Sequence, residues 1–449
     1  MATRARRSDR RLTPARAVAH RVVRRVTADG AWADRAFRAE AERTALDPRD
    51  RAFAQQLAYG TVQRLRTLDH VLATASSRPL EQVDPALRDA LRLGAYQVLY
   101  LDGVPDHAAV EQTVELVKAE QPRASGFANA VMRRVAREGR AAVDAIDDTT
   151  AEGAALKHSH PDWVARMWWE QLGPDQARGL MARDNEAPES ALRANELVTT
   201  RDELAARIDV RTHPAPGVPE GLVLAAPWDA HGSPLFAEGA FIPQSRGSMT
   251  VARVLDPQSG ESVLDMAAAP GAKTTHIAAL MRGEGRITAM ERNAQRADAL
   301  RANVERMRVS NVEVVTGDAR DAPPGPFDRV LLDPPCSDLG TLQARPDVRW
   351  RKSPEQLAEL AALQRELLDA GLQRLKPGGV LVYSSCTISP SENEQQIDRL
   401  LRDRPDVERD ELGEDRPEVA HPAFRGYLQL LPHRDGADGF FIARLRRRP

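Results

Sequence analysis

The residues that could do chemistry fall in five short stretches. The first, Ser262 to His276, reads S-V-L-D-M-A-A-A-P-G-A-K-T-T-H. It runs from a short apolar segment to an acid, Asp265, passes through Ala267, Ala268 and Ala269 to Pro270, Gly271 and Ala272, and enters a helical pattern at Lys273. A strand, a tight loop and a helix N-terminus in that order offer free backbone N–H groups, the positive end of a helix dipole, and side chains small enough for a ligand to touch the backbone. Further on come Glu291 at the end of R-I-T-A-M-E, Asp318 after V-E-V-V-T-G, D-P-P-C at Asp333 to Cys336, and S-S-C-T at Ser384 to Thr387. All five lie at the carboxyl ends of expected strands, where open α/β sheets bind ligands. Singly, each acid reads as an ordinary helix cap; three in register with successive strands do not.

The chain has two cysteines, Cys336 and Cys386, and both lie in these stretches. Two are too few for a disulfide framework or a zinc cluster, so no metal is expected. Their placement at two sheet-edge loops argues for chemistry over packing.

The elements that must position these groups follow from periodicity. Strands are expected at 262–266, 286–290, 312–315, 328–332 and 378–384, with helices between them, notably A-Q-R-A-D-A-L-R-A-N-V-E-R-M and P-E-Q-L-A-E-L-A-A-L-Q-R-E-L-L-D-A-G-L-Q-R-L. The chain closes with L-Q-L-L-P, the turn H-R-D-G-A-D-G and F-F-I-A-R-L, which reads as a hairpin. Alternation predicts a mostly parallel, doubly wound α/β sheet over 236–449, to which the hairpin adds one antiparallel strand.

Ahead of it, Thr13 to about Arg140 is helical throughout, with breaks at Asp47-Pro48, Asp84-Pro85 and Val104-Pro105. Met1 to Arg11 is Arg-rich and reads as a mobile, solvated tail. Three domains are therefore expected: an all-helical one over 1–144, a connecting α+β subdomain over 145–235, and the sheet domain. In the connecting stretch Trp163, Trp168 and Trp169 could stack on bases, although tryptophans at helical spacing are more often core.

Net charge over the 449 residues is -2, but it is unevenly divided: residues 1–140 hold 25 Lys and Arg against 17 Asp and Glu. The basic end is a candidate polyanion-binding surface. No apolar run approaches the roughly 20 residues needed to span a bilayer, and none follows the Arg-rich start to make a signal peptide. A cytoplasmic monomer is the expectation.

The runs D-R-A-F-A-Q-Q-L-A-Y-G-T-V, L-R-L-G-A-Y-Q-V-L-Y-L, H-A-A-V-E-Q-T-V-E-L-V-K and G-F-A-N-A-V-M-R-R resemble the NusB-type RNA-binding domain. That resemblance implies an RNA partner. Arg133, Arg134, Arg137 and Arg140 are candidate phosphate contacts, or equally a solvated helix face.

The sheet and its edge stretches resemble the Rossmann-like methyltransferases that use S-adenosylmethionine. The resemblance implies that Glu291 accepts from both ribose hydroxyls and Asp318 from the adenine amino group. Asp265 and the loop Ala267 to Lys273 would surround the methionine and ribose portion. D-P-P-C then separates subfamilies. Enzymes that methylate amino nitrogens commonly carry an aromatic ring after the two prolines; here that place is Cys336. Carbon methylation of a pyrimidine needs a thiol, because C5 of cytosine is a poor nucleophile until something adds to C6. Asp333 would hold the N3 and N4 edge of a base that must first be unstacked. From chemistry alone either cysteine could attack.

D-M-A-A-A-P-G-A-K-T-T, D-P-P-C-S-D-L-G-T-L and Y-S-S-C-T-I-S-P-S-E-N-E together resemble the Sun-type family of RNA cytosine-5 methyltransferases. That resemblance implies that Cys386 attacks and Cys336 assists product release. With the NusB-like front it also implies small-subunit (16S) ribosomal RNA as substrate. The chain departs from the family pattern at Ala267 and Ala272, which stand for Cys and Gly, and at Gln244-Ser245, which stands for Gln-Asp. The competing readings are a methyltransferase acting on an amino nitrogen and a non-catalytic RNA-binding or ribosome-assembly factor.

Overall fold

The computed structural model describes residues 12–449; the stretch expected to be a mobile tail, Met1 to Arg11, lies outside the described residues. The chain forms two compact units. One runs to Glu186 and takes in Leu342–Arg351, and the other comprises Ala187–Thr341 and Lys352–Pro449. The expected connecting stretch 145–235 is thus shared between them.

The first unit is all helical: α1 (Pro14–Thr27), α2 (Ala33–Thr44), α3 (Pro48–Gln63), α4 (Leu65–Ala75), α5 (Pro85–Tyr100), α6 (Asp106–Glu120), α7 (Ser125–Asp144), α8 (Ala151–His158), α9 (Asp162–Leu172) and α10 (Pro174–Arg183). The breaks expected from the sequence are helix starts. Asp47 accepts from the Asp50 N–H and Asp84 from those of Ala86 and Leu87, each with proline at the first helical position. Proline has no N–H to leave unsatisfied there, and its φ suits the helix. Amphipathic faces then pack Val18, Leu57, Leu68, Leu91, Val131 and their neighbours into one core. Trp168 is fully buried and meets His160 edge-on at 5.6 Å between ring centroids, so it is a core residue and no platform for bases.

The α7 arginines are largely engaged by acids: Arg134 and Arg137 bond Glu138, and Arg140 bonds Asp106. Arg133 lines a surface hollow with Asp106, Glu111 and Glu115. This face is a mixed-charge surface, not a stripe of one sign.

The second unit opens with a small antiparallel sheet, order β2-β3-β1-β4, made of β1 (Ala191–Ala194), β2 (Thr212–Pro214), β3 (Gly221–Leu224) and β4 (Phe241–Pro243). Helices α11 (Arg201–Arg207), α12 (Pro234–Ala237) and α13 (Arg246–Leu255) accompany it. The large sheet follows: β5 (Ser262–Asp265), α14 (Ala272–Leu280), β6 (Arg286–Glu291), α15 (Ala294–Arg306), β7 (Val312–Thr316), β8 (Phe327–Leu332), α16 (Pro354–Arg374), β9 (Leu375–Ser385), α17 (Glu394–Asp403), β10 (Val407–Arg409), β11 (Leu428–Leu430) and β12 (Phe440–Arg447).

Its order is β10-β12-β9-β8-β5-β6-β7, with β11 also on β12. Strands β5 to β9 are parallel, and β12 runs antiparallel to β9, as the closing hairpin requires. The short edge strand β10 was not legible in the sequence. Alternate residues feed two cores, Val263, Ile287 and Leu331 on one face, Leu264, Met290 and Leu332 on the other. Burial on both faces is what a doubly wound sheet demands. The chain reverses direction across the sheet between β5 and β8, and the crevice at their carboxyl ends is the expected ligand site. Among the described residues no helix is long and apolar enough to cross a membrane.

Candidate active site

Register brings the sequence-predicted residues together. Asp265 pairs with Leu331 of β8 and Leu332 pairs with Tyr383 of β9, so the residues that follow each strand share one edge. Asp333 therefore meets Ser384, whose hydroxyl donates to its Oδ1 at 2.7 Å. Lys273, from the first turn of α14, donates to the other oxygen at 2.7 Å. Burial pulls the Lys273 ammonium down, and the Asp333 carboxylate more than offsets it.

In the loop before α14, Gly271 has φ 105°, a left-handed conformation open to glycine, and a Cβ there would lie 2.7 Å from Leu300 Cδ1. Ala268 and Ala269 are buried, and Ala272 takes the first helical position. That place does not need glycine, so the departure at 272 leaves the loop intact. Asp265 is buried and accepts from the Thr274 hydroxyl at 2.7 Å; burial raises its carboxyl to about 6. Glu291 is buried at the end of β6, accepts from the Asn293 N–H at 2.8 Å and lies 3.4 Å from the Arg296 guanidinium. Asp318 caps a short 3-10 turn and is gripped by Arg320, whose hydrogen bonds hold its carboxyl down at about 2.

The two thiols converge. Cys336 Sγ and Cys386 Sγ are 3.4 Å apart, Cys336 buried and Cys386 partly exposed. Asp338 stands beside them, its Oδ1 at 3.0 Å from Cys386 Sγ and 3.7 Å from Cys336 Sγ. The contact with Cys336, burial and the carboxylates of Asp338 and Asp333 together push the Cys386 thiol well up, so it is protonated at neutral pH.

Several residues that hold these loops were not singled out in the sequence. The Glu392 carboxylate accepts from the Ser337 N–H at 2.9 Å, from the Ser337 hydroxyl, and from Gln364 Nε2 at 3.0 Å. Asn393 bonds the Ser385 hydroxyl and, through Nδ2, the Thr387 carbonyl at 3.0 Å. The run S-P-S-E-N-E thus ties the two cysteine loops into one piece. Arg193 of β1, fully buried, donates to Thr275 Oγ1 at 2.8 Å and to Gln244 Oε1 at 2.8 Å. A charged residue inside an apolar strand was the available sign for Arg193; an acid two residues after a cysteine was the sign for Asp338.

Family models match three stretches: NusB over 13–137, an RsmF/B-like ferredoxin-like domain over 160–231, and 16S rRNA methyltransferase RsmB/F over 252–446. A probable ribosomal RNA small subunit methyltransferase B from Synechocystis is 37% identical over 96% of this chain and 99% of its own length. The chain belongs to the RsmB/F methyltransferase family. A protein of the same description from Bacillus subtilis is 35% identical over 90% of this chain and 92% of its own. Among solved structures, PH0851 superposes with a TM-score of 0.78 at 26% identity, over 97% of this chain and 99% of its own. A methyltransferase homolog protein from Pyrococcus horikoshii gives 0.59 at 30% identity, over 66% of this chain and 98% of its own. The family supplies the fold at both ends, NusB-like helices and a Rossmann-like sheet, and the middle match, over 160–231, is to a model described as ferredoxin-like.

Proposed function

We propose that the protein methylates C5 of a cytosine in small-subunit ribosomal RNA, with S-adenosylmethionine as donor and Cys386 as nucleophile. The observation that carries the reading is the pair of thiols 3.4 Å apart at the ends of adjacent strands, beside the carboxylate of Asp333. Relatives described as small-subunit ribosomal RNA methyltransferases support the substrate class.

The residues at the β5 edge fit the donor. Gly271 keeps the loop backbone approachable, the first-turn N–H groups of α14 have no intrahelical partners, Glu291 ends β6, and Asp318 follows the end of β7 by two residues. Asp265, the loop from Ala267 to Lys273, Glu291, Asp318 and Asp333 would hold it. S-adenosylmethionine supplies an electrophilic methyl group.

The chain's own residues do the rest. Asp333, fixed in place by Lys273 and Ser384, retains lone pairs that accept from the N4 amino group of the cytosine, and the Lys273 ammonium beside it offsets the negative charge that builds on the ring as sulfur adds. Cys386, the more exposed thiol, adds to C6. This turns C5 into an enamine carbon that can take a methyl group. The C5 proton then passes to water, its C–H pair re-forms the C5=C6 bond as the C6–sulfur bond breaks, and Cys336, 3.4 Å from Cys386, assists that departure.

The test incubates in vitro transcribed 16S rRNA with labelled S-adenosylmethionine and wild type, Cys386→Ala or Cys336→Ala protein. Products are resolved on a denaturing gel and the methylated base identified. Wild type should yield 5-methylcytosine, Cys386→Ala neither product nor adduct, and Cys336→Ala a covalent protein–RNA band. If Cys386→Ala traps the adduct and Cys336→Ala abolishes it, the roles are exchanged; label on an amino nitrogen overturns the reading.

A further inference from the structure

Asp338 occupies a left-handed backbone position, which few non-glycine residues take. Its φ is 60°, where glycine is the default. What an aspartate adds there is a carboxylate 3.0 Å from Cys386 Sγ, with the thiol as donor. The other acids around the sulfurs point elsewhere. Asp333 is engaged by Lys273 and Ser384, and Glu392 by Ser337 and Gln364. Lys273 is itself bound to Asp333. The second thiol, Cys336, is buried and bears no charge to accept a proton with. The Cys386 thiol, held protonated in the resting site, must lose its proton to act as a nucleophile.

We propose that Asp338 is the catalytic base that takes the Cys386 proton as sulfur adds to the pyrimidine; this rests on Cys386 being the nucleophile. In that step the S–H bond breaks and its proton goes to Asp338 Oδ1. A sulfur electron pair forms the Sγ–C6 bond, and the C5=C6 π pair moves into the ring toward C5. The carboxylate becomes a neutral carboxyl and the ring takes up its negative charge, so charge is conserved. A carboxylate is a weak base for a thiol, which makes concerted transfer the fitting course: no free thiolate forms beside two carboxylates. The Oδ1 contact at 3.7 Å to Cys336 places the same atom within reach of the second thiol.

The backbone makes the test unusually clean. Asp338→Gly relieves the left-handed strain, and Asp338→Asn is tolerated there and keeps an acceptor without the basicity. Single-turnover methyl transfer to in vitro transcribed 16S rRNA is followed from pH 5.5 to 9 for wild type and both variants, with melting temperature and S-adenosylmethionine binding measured alongside. Melting should equal or exceed that of wild type and binding should match it, while the rate at pH 7 falls about 100-fold in both. In Asp338→Gly the rate should then climb about tenfold per pH unit, as hydroxide replaces the lost base. Two outcomes overturn the inference alone: wild-type rates and profile in both variants, or a loss in Asp338→Gly that Asp338→Asn restores, which would make Asp338 a positioning residue. If wild type makes no 5-methylcytosine, or Cys386→Ala retains activity, the nucleophile assignment fails and the inference with it.

Discussion

Asp265 shows how a single buried carboxyl couples the site to pH. Its folded-state value of about 6 stands above the ordinary 3.8 because burial disfavours the charge. A group raised in this way stabilises the fold fully below its unfolded value, and that stability is lost as pH rises toward the folded value. The window is therefore about pH 4 to 6. Two pKa units correspond to about 3 kcal/mol at most. Asp265→Asn keeps an acceptor for Thr274 and removes the titration. The variant's melting temperature minus wild type's should grow from near zero at pH 4 to a plateau above pH 6. A difference that does not change with pH would mean that Asp265 ionises normally. The sequence exposed this acid by its type and place at a strand end. For Asp338 it offered only an acid two residues after a cysteine; the left-handed φ and the meeting with thiols on two loops come from the fold.

At the scale of elements, the site depends on how closely three loops approach. The Gly340 N–H donates to the Cys386 carbonyl at 3.0 Å, and its carbonyl accepts from the Gly439 N–H at 2.7 Å, so the D-L-G turn is clamped between the β9 end and the turn before β12. A Cβ on residue 340 would lie 2.2 Å from the Gly439 carbonyl oxygen and 2.9 Å from that of Cys386, both backbone atoms that cannot swing aside. Gly340→Ala should therefore cost about 2–3 kcal/mol in denaturant unfolding and displace Cys386. Methyl transfer should fall further than stability alone explains at temperatures where the variant stays folded. Wild-type turnover in a folded Gly340→Ala protein would show that this clamp does not position the thiol. Periodicity made the five central strands, the long α16 and the closing hairpin legible, because their apolar patterns are long or sharply bounded. The edge strand β10 spans three residues, too few to carry a period, and forms only because β12 offers it a partner. The roles of Glu392 and Gln364 were hidden for a related reason: 28 residues separate them, and only the fold brings them into contact.

At the scale of the whole molecule, the chain does not build its helical unit from one continuous stretch. Leu342–Arg351 follows β8 by ten residues in sequence, yet it clusters with residues up to Glu186. Arg349 is fully buried there and donates to the carbonyls of Gln63, Ser159 and Asp184 and to Asn185 Oδ1, at 2.9 to 3.3 Å. Trp350 adds a bond from its indole N–H to the Val62 carbonyl at 2.8 Å. Burial lowers the Arg349 guanidinium only to about 10, so it is charged at neutral pH and satisfies acceptors that would otherwise be stranded. Removing the one donor common to four acceptors should cost about 3–5 kcal/mol. Arg349→Ala should therefore speed amide hydrogen exchange at the C-terminal end of α3 and across 156–160 and 180–186, while the β5–β9 strands keep their protection. The unit would also complete its core only after residue 351 has been made, more than 160 residues after Glu186. A chain ending at 186 should accordingly exchange in those same segments like Arg349→Ala, and a peptide spanning 342–351 should slow it. Full-length protection in the 186-residue fragment without that peptide would mean that the buried arginine fills a space the helices can close by themselves.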